Sequence, residues 1–204
     1  MATIDVTLNH HREDTEKLQG SVSERLEDRI ERLEKTLQQC QATQSDSNKL
    51  NLLVFSGYRD RLLASFVMAT GAAACGMEVT MFFTFWGTAA LRKGGPQFGK
   101  KSLVERAFGM MLPNSLKRTK LSQMDMGGMG RLLMDKEMKK KNIANLDDLI
   151  ATAADLGVSI RACEMSMNLM GIRREELIDY PGLEFCGVAS FVDDCSSANT
   201  TLSV

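Results

Sequence analysis

Apolar and polar positions divide the chain into two unlike parts. From Glu24 to Cys40 charge dominates, and Leu26, Ile30, Leu33, Leu37 and Cys40 recur at alternating spacings of four and three. This is a heptad seam on a helix, with Glu27, Arg29, Glu31 and Lys35 on its other faces. The seam lasts about two heptads, short of the three to four that define a coiled coil. Two readings therefore stand: a solvated helix that docks on the domain, and a helix that pairs with its copy in an oligomer. Residues 41–48, QATQSDSN, lack large apolar side chains and read as a linker. The predicted organisation is a charged helical arm over residues 1–48 and a globular domain over residues 49–204.

The domain opens with an apolar run from Leu50 to Phe55, ended by Ser56 and Gly57, which predicts a buried strand and a turn. Helix formers from Arg59 to Cys75 stop at Gly76, as a helix C-terminus should. Glu78 to Phe85, rich in β-branched and aromatic residues, predicts a second strand that ends at Trp86 and Gly87. Strand, helix and strand, all apolar, predict a right-handed βαβ unit on a parallel sheet.

Further along, Lys93 to Pro96 reads as a loop, and residues 102–141 as short helices around a Met- and Gly-rich loop, Met124 to Gly130. Asn145 reads as an N-cap, with Asp147 and Asp148 in the first turn and Gly157 beyond the end. Val158 to Cys163 predicts a strand, Arg173 to Ile178 a short helix, Gly187 to Cys195 a helix, and Thr200 to Val204 a final edge strand. The fold class expected is α/β: a single doubly wound, mainly parallel sheet domain with a helical N-terminal arm.

Composition narrows the function. A formal net charge of −1, with no basic stripe interleaved with aromatics, argues against nucleic acid as a partner. Leu62 to Leu91 carries a single charge, Glu78, over a length that would span a bilayer. Gly71, Gly76 and Glu78 interrupt it, and its second half is β-rich, so a buried helix followed by a buried strand is expected, not a membrane span. The five cysteines are scattered, without a CxxC pair, and His10 and His11 lie far from them in sequence. Neither a disulfide framework nor a structural zinc site fits, and a reducing, cytoplasmic setting does. Met1 to Asp5 leads into charge without an apolar segment, so secretion is not suggested.

In open α/β sheets the working surface lies at the carboxyl ends of the strands. Three such places are legible: Ser56-Gly57-Tyr58, Trp86-Gly87, and Cys163 to Gly171. No GxGxxG follows the first strand and no GxxxxGK[ST] occurs, which disfavours a nucleotide. A helical turn starting at Glu164 would put the Cys163 sulfur beside backbone N–H groups that favour the thiolate, with Glu164 opposing. A free cysteine is also commonly buried and inert. Cys75, near a helix C-terminus among Ala72, Ala73 and Ala74, reads as a small core residue, and Cys186 and Cys195 receive no role. Cys40 lies on the seam.

Met124, Met126 and Met129 share their spacing with Met165, Met167 and Met170. Thioethers with Cys163 offer a soft site for Cu(I), or a pocket wall for an apolar ligand, while methionine equally serves as core filler. Ser166 has no histidine near it, so a Ser-His-Asp triad is not expected.

Gly71–Gly87 (GAAACGMEVTMFFTFWG), Ala162–Ile172 (ACEMSMNLMGI), Glu175–Ile178 and Gly187–Ala189 resemble, in order, the DsrE/DsrF/DrsH-like family, and within it the DsrE-like, peroxiredoxin-family branch. The resemblance runs from about residue 50 to the end and leaves the arm outside. It implies a compact α/β fold that forms homo- or hetero-oligomers, and a place in a sulfur relay. It also implies that a cysteine after a strand carries sulfane sulfur between donor and acceptor thiol proteins. The family's setting, a strand, then Cys, two residues, a small residue and a later Gly, is matched by Cys163, Ser166 and Gly171. The expected reaction makes Cys163 a persulfide, shielded by Trp86, Met165 and Met167 and stabilised by backbone N–H groups after Cys163. With no second cysteine close in sequence, the expected acceptor is a partner protein. The resemblance implies neither a metal nor an organic cofactor. The other reading is a non-catalytic binding or assembly module, with a Met-lined pocket for an apolar ligand or Cu(I) and an oligomerising arm.

Overall fold

The computed structural model describes residues 25–38, 48–95, 99, 101–113 and 115–204. Cys40, His10, His11, Pro96 and most of the expected linker (residues 41–47) lie outside them. The chain separates into residues 1–45 and residues 46–204. In the first unit, residues 25–38 form a helix, α1, on which Leu26, Ile30, Leu33 and Leu37 are all exposed.

The second unit is built on five strands: β1 (Lys49–Val54), β2 (Glu78–Phe83), β3 (Ser159–Cys163), β4 (Leu183–Cys186) and β5 (Thr200–Ser203). They lie in the order β4-β3-β2-β1-β5, and every pairing is parallel. Alternation along the strands sorts side chains to two faces. Leu50, Leu52, Val54, Val79, Met81, Phe83, Ile160 and Ala162 join the large core, which takes Leu62, Phe66 and Ala69 from α2 (Arg59–Ala74). Leu149 and Ala153 come to it from α6 (Leu146–Asp155), which packs on α2. The opposite face carries a smaller core of Phe82, Cys163 and Phe191, the last from α8 (Val188–Ser197). Phe82 and Phe191 stack with ring centroids 4.9 Å apart. Helices on both faces of a parallel sheet make the fold doubly wound.

Local chemistry explains most boundaries. Asn145 caps α6 by accepting the N–H groups of Asp147 and Asp148, and Asp148 accepts the Asn145 N–H in return. Gly157, at φ 73°, takes the left-handed position that ends the helix. Ser102 and Glu105 form the same reciprocal box at the start of α4 (Leu103–Met111). The apolar stretch from Leu62 to Leu91 resolves into α2, β2 and α3 (Phe85–Ala90). Among the described residues, no helix is long and apolar enough to cross a membrane.

Three expectations need correction. The second strand ends at Phe83, not Phe85, because Thr84 turns the chain into α3, which tucks under β1. Gly87 makes that turn possible: its N–H donates to Phe55 O at 3.1 Å, and a Cβ there would lie 2.3 Å from Val54 O. Only Arg174–Glu176 of the expected 173–178 helix forms, as a single 3₁₀ turn. Strand β4 was not anticipated, since four half-buried residues between turns carry no clear period. The final strand, β5, lies at the sheet edge as expected.

Candidate functional site

Cys163 is the last residue of β3 and the N-cap of α7 (Glu164–Met170), so the chain passes from strand to helix at the sulfur. The residue is completely buried. Two hydroxyls are buried with it, Ser166 on the first turn of α7 and Thr84 at the end of β2, with oxygens 3.0 Å apart. Ser166 Oγ also accepts the backbone N–H of Phe85 at 2.9 Å. Phe85 sits at φ 44°, a left-handed conformation that costs a bulky residue on the order of 1–3 kcal/mol. That strain aims its N–H at Ser166.

Ser166 Oγ accepts the Phe85 N–H, and in the Thr84–Ser166 bond either hydroxyl can donate, so one of the two hydroxyl hydrogens remains for the Cys163 sulfur. Burial alone raises the pKa of the Cys163 thiol. The hydroxyl and N–H of Ser166, the Thr84 hydroxyl and the Met165 N–H outweigh it and bring the thiol below its ordinary value. Glu164, the neighbour expected to oppose the thiolate, is turned outward onto Arg174 at 2.8 Å. Arg174 in turn lies over the Phe185 ring, 4.4 Å from its centroid. The site is therefore a buried, hydrogen-bonded thiol whose surroundings favour the thiolate.

Of the other residues singled out from sequence, Ser166 and the Met165 N–H converge on Cys163, whereas Trp86, Gly87, Met167 and Gly171 have other surroundings. Trp86 is half exposed and lines a cavity of about 660 Å³ with Ser56, Tyr58, Arg92, Arg118 and Lys120, and Cys163 is not in its wall. Gly87 is the close-approach position described above. The Met165 side chain is half exposed, and Met167 packs in the large core. Gly171, at φ 64°, ends α7 where a Cβ would meet the Glu105 side chain at 2.6 Å.

The two methionine runs do not converge. Met124, Met126 and Met129 line a separate cavity of about 700 Å³, with no contribution from Met165, Met167 or Met170. Cys75 corrects another expectation: it is the exposed C-cap of α2, where the helix end turns it away from the core. Among the described residues, no group of three or more His, Cys, Asp or Glu side chains could hold a metal ion. Sequence reasoning missed Thr84, Phe85 and Cys186, the last of which faces Cys163 across the β3–β4 pairing. Without strand β4, nothing in the sequence links positions 163 and 186.

The Glu175–Ile178 segment has a structural task. Glu176 is buried between Arg92 and Lys101, at 3.4 and 2.5 Å, and Ile178 N–H donates to Leu91 O. It ties the chain after α3 to the rest of the domain.

The profile of the DsrE/DsrF/DrsH-like family matches residues 46–203. Protein YrkE of Bacillus subtilis (strain 168) is 37% identical over 158 residues, covering 78% of this chain and 98% of that protein. The sulfur carrier protein DsrE2 of Allochromatium vinosum is 29% identical over 171 residues, covering 78% of this chain and 99% of that protein. The crystal structure of the ychN protein from E. coli is similar at a TM-score of 0.45 and 15% identity, over 76% of this chain and 99% of that one. The match spans the whole sheet and the strand-to-helix turn at Cys163, and the chain belongs to the DsrE/DsrF/DrsH-like family.

Proposed function

We propose that this protein is a sulfur-relay protein that carries or transfers sulfane sulfur as a persulfide on Cys163. The observation that carries the reading is the buried Cys163 thiol, set against the hydroxyls of Ser166 and Thr84 and the N–H groups of Met165 and Ser166. The relative DsrE2 is a sulfur carrier protein, which supports the same role.

In this reading the Cys163 thiolate attacks the outer sulfur of a donor persulfide or the sulfane sulfur of thiosulfate. A Cys163–S–S bond forms, and the donor's thiolate or sulfite leaves. The same donors that stabilise the thiolate then stabilise the persulfide anion, while Phe82 and Phe191 keep water from it. An acceptor thiolate takes the outer sulfur and returns Cys163 to the thiolate. Donor and acceptor are thiol proteins. The free cysteines Cys75, Cys163, Cys186 and Cys195 suit a reducing compartment such as the cytoplasm. Residues 1–48 act as an arm on the domain of residues 49–204, and the exposed seam of α1 pairs copies into a homo-oligomer.

Mass spectrometry after incubation with thiosulfate or a persulfide donor tests this. An adduct of about 32 Da, one sulfur atom, is expected at Cys163 early in the reaction and is absent in Cys163→Ser. Labelling that spreads evenly over the cysteines, or spares Cys163, would defeat it.

One observation favours a second reading, a binding module. The cavity lined by Met124, Met126, Met129, Leu133 and Met134 is apolar enough to hold a greasy ligand. Cu(I) competition against a chelator, with and without Met124→Ala and Met126→Ala, separates a metal from an apolar occupant.

A further inference from the structure

Cys163 and Cys186 are the last residues of adjacent parallel strands and are paired in register. Parallel partners in register present their side chains to the same face, and both cysteines pack in the small core of Phe82 and Phe191. Neighbouring strands lie about 4.8 Å apart, inside the range of about 4.4–6.8 Å that Cα atoms of a disulfide require. Both residues stand where their strands end, so neither is held by a continuing ladder. They differ in one respect that matters: Cys163 is completely buried, whereas Cys186, on the edge strand β4, is partly exposed.

We infer that Cys186 is the internal resolving thiol of Cys163, closing a Cys163–Cys186 disulfide that discharges whatever sulfur Cys163 has accepted. The inference rests on Cys163 being the sulfur-accepting thiol, and it adds an internal route of release beside transfer to an acceptor protein.

The chemistry balances as two exchanges. Cys163 thiolate attacks one sulfur of a donor R–S–S–R′, forming Cys163–S–S–R and expelling R′–S⁻. Cys186 loses its proton to solvent and attacks the Cβ-bound sulfur of Cys163, forming the Cys163–Cys186 disulfide and expelling R–S⁻. When Cys163 holds a persulfide, the expelled group is hydrosulfide. The two cysteines together lose two electrons, and the donor's S–S bond gains them. A dithiol reductant restores both thiols.

Surroundings set the order of attack. Burial raises the pKa of the Cys186 thiol, with the Arg161 guanidinium opposing and Asp194, Cys163 and Glu184 adding to the rise. Cys186 therefore stays protonated while Cys163 reacts first. Arg161, on the same face two residues before Cys163, is held by Glu184 and Asp194, which leaves its charge partly spent. Cys195 of α8 packs on the same core and is the competing third thiol.

The test uses the reduced full-length chain and its Cys186→Ser and Cys195→Ser variants, treated in parallel with oxidised glutathione and with thiosulfate. Non-reducing peptide mapping of the unsubstituted chain is expected to find a Cys163–Cys186 cross-linked peptide with both reagents, and Cys195→Ser is expected to behave alike. Cys186→Ser is expected to stop at the mixed disulfide or persulfide on Cys163 and to release sulfide about tenfold more slowly. A Cys163 adduct that persists in the unsubstituted chain with Cys186 free, or a Cys163–Cys195 bond, overturns the inference while leaving the persulfide reading intact. A Cys163–Cys186 bond formed from glutathione, with no sulfane adduct from any sulfur donor even in Cys186→Ser, does the reverse. The mapping of the unsubstituted chain needs no variant to fold.

Discussion

The hydroxyl oxygen of Ser166 accepts the backbone N–H of Phe85 at 2.9 Å, joining the first turn of α7 to the first residue of α3. This bond occupies a lone pair of the Ser166 hydroxyl, which also reaches the Cys163 sulfur. In Ser166→Ala the thiol loses a donor, and its pKa moves back upward. Persulfide loading, followed as a function of pH, is expected to rise at higher pH than in the unsubstituted chain. At neutral pH it falls by about tenfold, the scale of one hydrogen bond to a charged group. An unchanged pH profile would mean that Ser166 only packs.

Tyr180 gives the alkaline limit of stability. Its hydroxyl donates to Val158 O at 2.7 Å, and burial pushes its pKa from 10.0 up to about 12. A phenol whose folded pKa lies above its unfolded value contributes fully below the unfolded value and is lost as pH rises through the folded one. Unfolding free energies from urea titrations are expected to decline between pH 10.0 and about 12, by about 2–3 kcal/mol in all. Tyr180→Phe is expected to flatten that decline.

Glu176 is a carboxylate buried between two cations, Arg92 and Lys101. Replacing it with alanine leaves both charges in the interior without it, at a cost of about 3–5 kcal/mol in denaturant unfolding. Removal of the exposed Asp179, which pairs with Lys93 at 3.2 Å, is expected to cost under about 1 kcal/mol. Equal effects would contradict the burial assigned to the Glu176 cluster.

Gly87 separates a packing role from a binding one. A methyl group there meets a backbone carbonyl, not a movable side chain, so Gly87→Ala is expected to lose about 1–3 kcal/mol of stability. Sulfur loading per folded molecule is expected to hold. Loss of loading at unchanged thermal midpoint would make Gly87 a site residue instead.

Deleting residues 1–48 is expected to lower the molar mass measured by light scattering to that of a single domain. An unchanged mass would place the contacts between copies on the domain itself.

Sequence periodicity was a good guide where elements are long or capped. The run from Leu50, the α2 pattern up to Gly76 and the Asn145 cap all recur in the structure. Cys163 was legible because a strand and a helix meet at it in sequence. Its partners were not. Thr84 reaches Ser166 across 82 positions, and Cys186 reaches Cys163 only through an edge strand of four residues. Such a strand is specified by its pairing more than by its own composition. Trp86 reads from sequence as a residue beyond a strand end, yet one helical turn directs it to a different cavity.

The complete burial of Cys163 turns sulfur exchange into a matter of timing. A reagent of any affinity meets this atom only during those intervals when α8, carrying Phe191, parts from Phe82 and the sheet. The ceiling on traffic is then the frequency of that breathing, independent of donor concentration once the donor is abundant. A tighter Phe82–Phe191 stack makes the protein a slower carrier and a longer-lived store.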